Sequence, residues 1–420
     1  VVADQALDLT RPHAVHIVGV GGAGMSAIAT VLARMGHTVS GSDLRESRVL
    51  ERLELLDVTT HVGHAAEHLP DVLDAVVIST AIPESNPEVV AARERGIPVL
   101  RRADALRAIV ATRTTVAVAG SHGKTTTSSM LALILRAAGW HPSFLIGGDV
   151  NEVGTNAVFD SGEWLVVEAD ESDGTFLELG PHDAVVTSVL PDHLDHYGDF
   201  DTLVRAFETF VARIPGVSAL CADDEVAAAI AARVDGDGRI VTYGFNDAAD
   251  YRMDSYQGSR GGTQFELSRS GDALGLVQLP VPGRHNALNA AGAAAVALEL
   301  GVAFDAVARA LGGFAGVARR FQFRGERDGV TYVDDYAHLP SDVNAMIRAA
   351  REGGWERVVA VFQPHRYTRT AALWRDFADA FSGADALVLT DVYAAGEQPQ
   401  PGVSGRLLLR AVLDAHPEQS

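Results

Sequence analysis

The chain has 420 residues, 47% of them hydrophobic and 21% charged, an ordinary globular composition with room for two or three domains. A formal net charge of −21 disfavours polyanionic partners, so neither nucleic acid nor an anionic membrane surface is expected. The single cysteine, Cys221, leaves no internal disulfide, no apolar run approaches the roughly 18 residues that span a bilayer, and Val1–Gln5 lacks the basic region of an export signal, so the expected compartment is the cytoplasm.

His16–Val20 reads as a short buried strand, followed by a glycine turn and a helical Met25–Met35. Thr38–Asp43, Ala75–Ser79 and Ile97–Leu100 read as further strands. Strands alternating with helices imply a parallel sheet covered on both faces. After residue 108 the pattern restarts. Thr115–Ala119 is a strand feeding a second glycine loop, Ser128–Ala138 a helix closed by Gly139, and Trp164–Glu168 and Ala184–Thr187 are apolar runs ending in polar residues. Between 239 and 282 short alternating segments, Gln264–Leu267 and Leu276–Leu279 among them, suggest a small antiparallel addition, and an Ala-rich helix follows from Ala287 to about Leu300. Strands Thr331–Asp334, Val358–Phe362 and Ala386–Thr390 make a third block. The expectation is three α/β domains, over residues 1–108, 109–317 and 318–420.

Gly19-Val-Gly-Gly-Ala-Gly24 fits the dinucleotide fingerprint, with Asp43 ending the next strand. Glycines admit a diphosphate to a helix N-terminus, whether it belongs to NAD or to a nucleotide sugar. The second loop, Gly120-Ser-His-Gly-Lys-Thr-Thr126, holds Lys124, the one lysine among 34 basic residues. A chain otherwise committed to Arg keeps Lys where a compact point charge must slip between phosphate oxygens. Val118 stands where the full phosphate-loop pattern has its first glycine, but Gly120-x-x-Gly-Lys-Thr keeps the backbone N–H groups, the ammonium and the Thr125 hydroxyl. Such a loop needs an acid at a neighbouring strand end to hold Mg²⁺, and Glu168, opening Glu168-Ala-Asp-Glu-Ser-Asp173, stands there. Pro191-Asp-His-Leu-Asp-His-Tyr197 adds His193 as a metal or phosphate candidate.

Together with His16–Ser26, Pro282–Asn286, Asp335–His338 and Pro364–Arg369, these segments resemble the Mur ligase family nearly end to end. The resemblance implies a Rossmann-like UDP-binding domain, a central P-loop ATPase-type sheet and a Rossmann-like C-terminal domain. It implies ATP-dependent joining of L-alanine to UDP-N-acetylmuramate through an acyl phosphate, with Mg²⁺. Gly19, Gly21, Gly22, Gly24, Met25, Ser26, Asp43 and Ser79 are then expected on the UDP-sugar. Gly120, Ser121, His122, Gly123, Lys124, Thr125 and Thr126 fall to ATP, with His285 and Asn286 near its adenine and Arg319 at the hinge. Lys124, Glu168 and His193 are the expected catalytic residues, with Thr125, Glu168 and His193 as metal ligands. Tyr336, His338, His365, Arg366 and Arg369 are expected to shape the amino-acid pocket. Ser188-Val-Leu190 replaces the family's usual Asn-Ile-Glu, Leu339 replaces a second His, and the chain stops sooner than is usual in the family. Alternatives are a peptide-recycling ligase, an NAD-dependent oxidoreductase and an inactive nucleotide-binding module.

Overall fold

The computed structural model describes residues 7–419. Val1–Gln5, read above for its lack of an export signal, and the side chain of Asp195 lie outside what is described.

Five parallel strands form the first sheet: β1 (Ala14–Val18), β2 (Thr38–Asp43), β3 (Thr59–Val62), β4 (Ala75–Ile78) and β5 (Val99–Arg101), in the order β3-β2-β1-β4-β5. Their order reverses beside β1, so the crevice at the strands' C-terminal ends is a switch point, where ligands of such sheets bind. β1 is buried on both faces, and Ile17 and Val18 are fully enclosed. That is why it reads as a continuous apolar run.

The second sheet has ten strands. β6 (Thr114–Ala119), β7 (Ser143–Val150), β8 (Thr155–Val158), β9 (Trp164–Glu168), β10 (Asp183–Val186), β11 (Val217–Cys221) and β12 (Arg239–Gly244) precede a meander of β13 (Tyr251–Ser259), β14 (Gly262–Arg269) and β15 (Asp272–Leu279). The order is β15-β14-β13-β12-β11-β10-β6-β9-β7-β8. Pairing is parallel from β13 to β7; β14, β15 and β8 run antiparallel to their neighbours. The helix Arg284–Glu299 lies against this sheet through Ala290, Ala291, Ala294 and Ala297, all fully buried. Its small residues permit close approach: a Cβ on Gly292 would stand 2.7 Å from the Tyr243 ring.

The third block holds an antiparallel hairpin, β16 (Gln322–Arg327) with β17 (Val330–Asp334), and a parallel pair, β18 (Val359–Phe362) with β19 (Ala386–Leu389). Its core gathers Ile347, Phe362, Phe377, Phe381 and Leu408.

The expected strands and helices are present, with ends displaced by a few residues: Ile97–Leu100 becomes Val99–Arg101, and Ser128–Ala138 becomes Lys124–Ala137. That helix starts four residues early because Gly123 turns the chain at φ 79 directly into it, although Thr125-Thr-Thr is a poor helix former by propensity. β3 and β7 carry little apolar periodicity, β3 because it is four residues long and β7 because Gly147-Gly148 interrupts it.

Candidate active site

The phosphate loop is held from below by the segment after β10. Gly120 sits at φ 125, and a Cβ there would stand 2.9 Å from the Ser188 main chain. Only glycine fits. Ser121 N–H donates to Ser188 O at 2.9 Å, His122 N–H to Ser188 Oγ at 3.2 Å, and Leu190 N–H to Ser121 Oγ at 2.8 Å. The departure at Ser188-Val-Leu190 therefore supports the loop through main-chain groups and one hydroxyl, and needs neither an amide nor a carboxylate side chain. Asn289, one helical turn after Asn286, packs on Gly123 from the other side.

Beyond Gly123 the helix Lys124–Ala137 turns its N-terminus, with its unpaired N–H groups and positive dipole end, toward the cavity. Lys124 Nζ donates to Gly120 O at 2.7 Å and to Glu171 Oε2 and Oε1 at 2.8 and 3.0 Å. Burial would lower the Lys124 ammonium, but Glu171, Asp170 and Glu168 outweigh it and raise its pKa, so it stays charged. Thr125 Oγ1 donates to Glu168 Oε1 at 3.2 Å, and Gly147 N–H to Glu168 Oε2 at 2.7 Å.

The third block closes the other side. His122 Nδ1 lies 2.8 Å from Asp342 Oδ1, and its Nε2 lies 3.0 Å from Ser341 Oγ. Burial alone would raise the Asp342 carboxyl; the His122 bond and the nearby His338 ring hold it well below the usual carboxylate range. Arg369 Nη2 lies 3.7 Å from Asp192 Oδ2, whose own residue also sits 3.3 Å from His193 Nε2. Tyr336, His338 and His365 form a cup, with centroid separations of 5.2, 5.8 and 6.4 Å. His338 Nδ1 lies 2.8 Å from Tyr336 O, and a carbonyl only accepts, so that nitrogen carries the proton. His365 Nδ1 faces Arg369 Nη1 at 3.0 Å and must accept. Burial first, then Arg369, pushes His365 down to about 4, so it is neutral at physiological pH.

One cavity of about 640 Å³ joins these groups. Gly19, Gly22, Gly24, Met25 and Ser79 line it from the first sheet. Ser121, His122, Gly123, Lys124, Thr125, Glu168 and His193 line it from the second. Tyr336, His338, His365, Arg366 and Arg369 line it from the third block. A cavity of similar size, about 670 Å³, lies on the meander, but its Asp247, Asp250, Asp254 and Glu266 face it with a single Arg252 and would repel phosphate.

Several expected residues stand outside the lining. Asp43 Oδ2 accepts the Gly21 N–H at 2.9 Å, so this pair ties the glycine loop to β2. Ser26 is buried in its helix with Oγ on Ala23 O, and Gly120 and Thr126 act as loop and helix framework. Asn286 Nδ2 donates to Pro282 O at 2.7 Å. His285, whose pKa burial pushes down to about 4, borders Asp342 and His122 without lining the cavity. Arg319 is exposed and outside the lining, while Arg320 lines the cavity and lies 5.6 Å over the Tyr336 ring. Sequence reasoning passed over Arg102, which lines the cavity between the two glycine loops and lies 3.7 Å from both Asp170 and Asp173. It also passed over Asn289, and over Tyr393, stacked on His365 at 5.7 Å. The His285-Asn-x-x-Asn289 spacing could have flagged Asn289; nothing local marks the other two.

Two phosphate-type glycine loops on one cavity, under a third block that brings Arg and His to it, are the arrangement of an enzyme that couples a nucleoside triphosphate to a second nucleotide-bearing substrate. Residues 14–114 match the Mur ligase family catalytic domain, 118–297 the Mur ligase middle domain, and 319–419 the Mur ligase glutamate ligase domain. The chain belongs to the Mur ligase family. It is 48% identical over 410 residues to a UDP-N-acetylmuramate–L-alanine ligase of Anaeromyxobacter sp. strain Fw109-5, covering 97% of this chain and 89% of that one. It is 50% identical over 400 residues to the protein of that name from Solidesulfovibrio magneticus, covering 94% and 86%. Among solved structures, the UDP-N-acetylmuramate-alanine ligase of Thermotoga maritima superposes with a TM-score of 0.81 at 30% identity, covering 96% and 89%. A murein peptide ligase of Psychrobacter arcticus gives 0.74 at 25%, covering 97% and 89%.

Proposed function

We propose that this chain joins L-alanine to the lactyl carboxylate of UDP-N-acetylmuramate, converting ATP to ADP and phosphate, as the first amino-acid addition in peptidoglycan precursor synthesis. The observation that carries the reading is the single cavity lined by both glycine loops and by the Tyr-His-Arg set of the third block. The relatives named for this reaction, at 48% and 50% identity, support it.

The Gly19–Gly24 loop and Arg102 hold the UDP diphosphate; the Gly123–Thr125 N–H groups hold the ATP tail. The lactyl carboxylate attacks the γ-phosphorus, the bond to the β-phosphate oxygen breaks, and ADP leaves. The amine of L-alanine then attacks the acyl phosphate carbonyl, and a tetrahedral intermediate expels phosphate. Bringing a carboxylate to a polyanion is an electrostatic and positioning task, met by Lys124 and the helix N-terminus. Arg366 and Arg369 would bind the carboxylate of L-alanine, with Tyr336, His338 and His365 around its methyl group. An acyl phosphate is lost to water, and the His122–Asp342 contact that holds the third block over the loop keeps water out. Mg²⁺ fits here as well. The Thr125 hydroxyl and Glu168 carboxylate, already within 3.2 Å, are the hard oxygen donors Mg²⁺ takes beside substrate phosphates. The ion would supply charge neutralisation along the triphosphate. His193 stands beside Asp192 and would act on the phosphate side. The proposed compartment is the cytoplasm.

Phosphate release is the test, with ATP, UDP-N-acetylmuramate and each of L-alanine, glycine and L-serine. Release should require the UDP-sugar and be fastest with L-alanine. The likeness to a murein peptide ligase favours one second reading. Faster turnover with a stem tripeptide than with L-alanine would replace the first reading by that one.

A further inference from the structure

The acids of the run Glu168–Asp173, which opens at the end of β9, are all partnered. Glu168 holds Thr125 and Gly147; Asp170 and Asp173 face Arg102. Glu171 turns inward. Its side chain is 1% exposed, and both carboxylate oxygens accept from Lys124 Nζ, which marks the carboxylate as ionised although burial pulls its pKa upward. Tyr197 Oη donates to Glu171 O at 2.6 Å and fixes the backbone that presents it.

An ammonium has three N–H donors. Those of Lys124 meet Gly120 O, Glu171 Oε2 and Glu171 Oε1 at 2.7, 2.8 and 3.0 Å, so none is left for a phosphate oxygen. We propose that Glu171 is a positioning residue for ATP: its carboxylate holds Lys124 against the loop's own carbonyl, and the triphosphate must displace that carboxylate to gain the ammonium. The proposal rests on the reading of this loop as the ATP site. A buried ammonium needs a counter-charge whenever phosphate is away, and Glu171 supplies it. The cost falls on affinity, because a nucleotide that binds only molecules with a released lysine has its apparent Kd raised in inverse proportion to the fraction so released. Glu168, three residues earlier, stays on Thr125, so one acidic segment would serve metal and lysine separately.

Glu171→Gln removes the charge and one acceptor while keeping the shape. Thermal unfolding is measured with and without the β,γ-imido analogue of ATP and magnesium chloride, and KM for ATP and kcat are measured separately. The analogue should raise Tm more in Glu171→Gln than in the parent, and KM for ATP should fall about threefold or more, a larger factor than any change in kcat. An equal or smaller Tm rise, or a fall in kcat with KM unchanged, would mean that Glu171 stays on Lys124 through turnover, and the proposal fails. If Glu171→Gln does not fold, Glu171→Asp, which withdraws the carboxylate by one methylene, should show the same direction with a smaller factor; an unchanged KM there overturns the proposal equally. Lys124→Ala separates the two levels: an analogue-induced Tm rise equal to the parent's in that variant would remove the ATP-site reading itself, whatever Glu171 does.

Discussion

Lys124 answers to geometry that a guanidinium does not fit. Its Nζ sits between a loop carbonyl and a buried carboxylate, with the side chain 13% exposed. Lys124→Arg keeps the charge but brings a planar fork into a space shaped for one point donor. ATP-dependent phosphate release should fall by about a hundredfold or more, an electrostatic loss of the size seen when one preorganised donor is removed. Turnover within a few-fold of the parent would show that charge alone suffices. His365 makes a second prediction at this scale. Its pKa lies near 4 in the fold, against an ordinary value of 6.5. Between those values the unfolded chain takes up a proton that the folded one refuses, so its contribution to stability is lost as pH falls from 6.5 toward 4. Urea midpoints followed across that window should slope less in His365→Gln than in the parent; parallel slopes would remove the claim. The sequence displayed Lys124, Thr125 and Glu168 because a phosphate loop packs its chemistry into a few consecutive positions. It pointed to Arg319, whereas Arg320 is the one that lines the cavity. The backbone there is left-handed at Arg319 and Phe321, φ 60 and 44, a local turn that propensity does not display.

At the scale of elements, Glu88 ties the first sheet to the helix Pro87–Glu94. The helix begins with Asn86 accepting the N–H groups of Glu88 and Val89, and with proline at its first position. Its fully buried carboxylate then accepts from Ser42 on β2 at 2.6 Å and meets His64 and His68 Nδ1 at 3.1 and 3.0 Å. His16 on β1 stands at 3.7 Å, an ion-pair distance, and its Nε2 has no hydrogen-bond partner. Burial would raise the Glu88 carboxyl, but these groups together hold it down at about 2. Because the folded pKa lies below the ordinary value of 4.5, the stabilisation is complete above 4.5 and lost as pH falls from there to 2. Glu88→Gln should therefore cost up to about 3 kcal/mol at neutral pH, with the difference from the parent shrinking to nothing near pH 2. A constant difference across that range, by denaturant titration, would point to packing instead of charge. The start signal Asn-Pro-Glu stands in the sequence. The inward turn of Glu88 does not, because its four partners come from positions 16, 42, 64 and 68, and only the β3-β2-β1-β4 strand order brings them together. The three-block α/β order was legible from strand-helix alternation for the same reason that this cluster was not: alternation is local, and strand order is not.

For the whole molecule, the contact that matters most is the one between the phosphate loop and the third block. The helix Pro340–Glu352 begins over Asp342, whose Oδ2 accepts the His338 and Leu339 N–H groups at 3.3 and 3.2 Å while Oδ1 faces His122. One side chain thus both starts the helix and clamps it to the loop. Tyr256 Oη donating to Glu352 at 2.7 Å, and Arg260 over the Trp355 ring at 4.6 Å, fasten its far end to the meander. Asp342→Asn separates the two roles, since from the third helical position the Asn side-chain oxygen can still accept the His338 and Leu339 N–H groups but brings no charge to His122. The melting temperature should change little. Without the charged contact the third block should spend more time away from the loop, which small-angle scattering would register as a larger radius of gyration. Water would then reach the acyl phosphate, so phosphate released per alanyl product should rise above one. Unchanged scattering with one-to-one stoichiometry in Asp342→Asn would assign closure to the Tyr256 and Arg260 contacts instead. In that case Tyr256→Phe, which removes the hydroxyl bond to Glu352, should be the variant that opens the molecule.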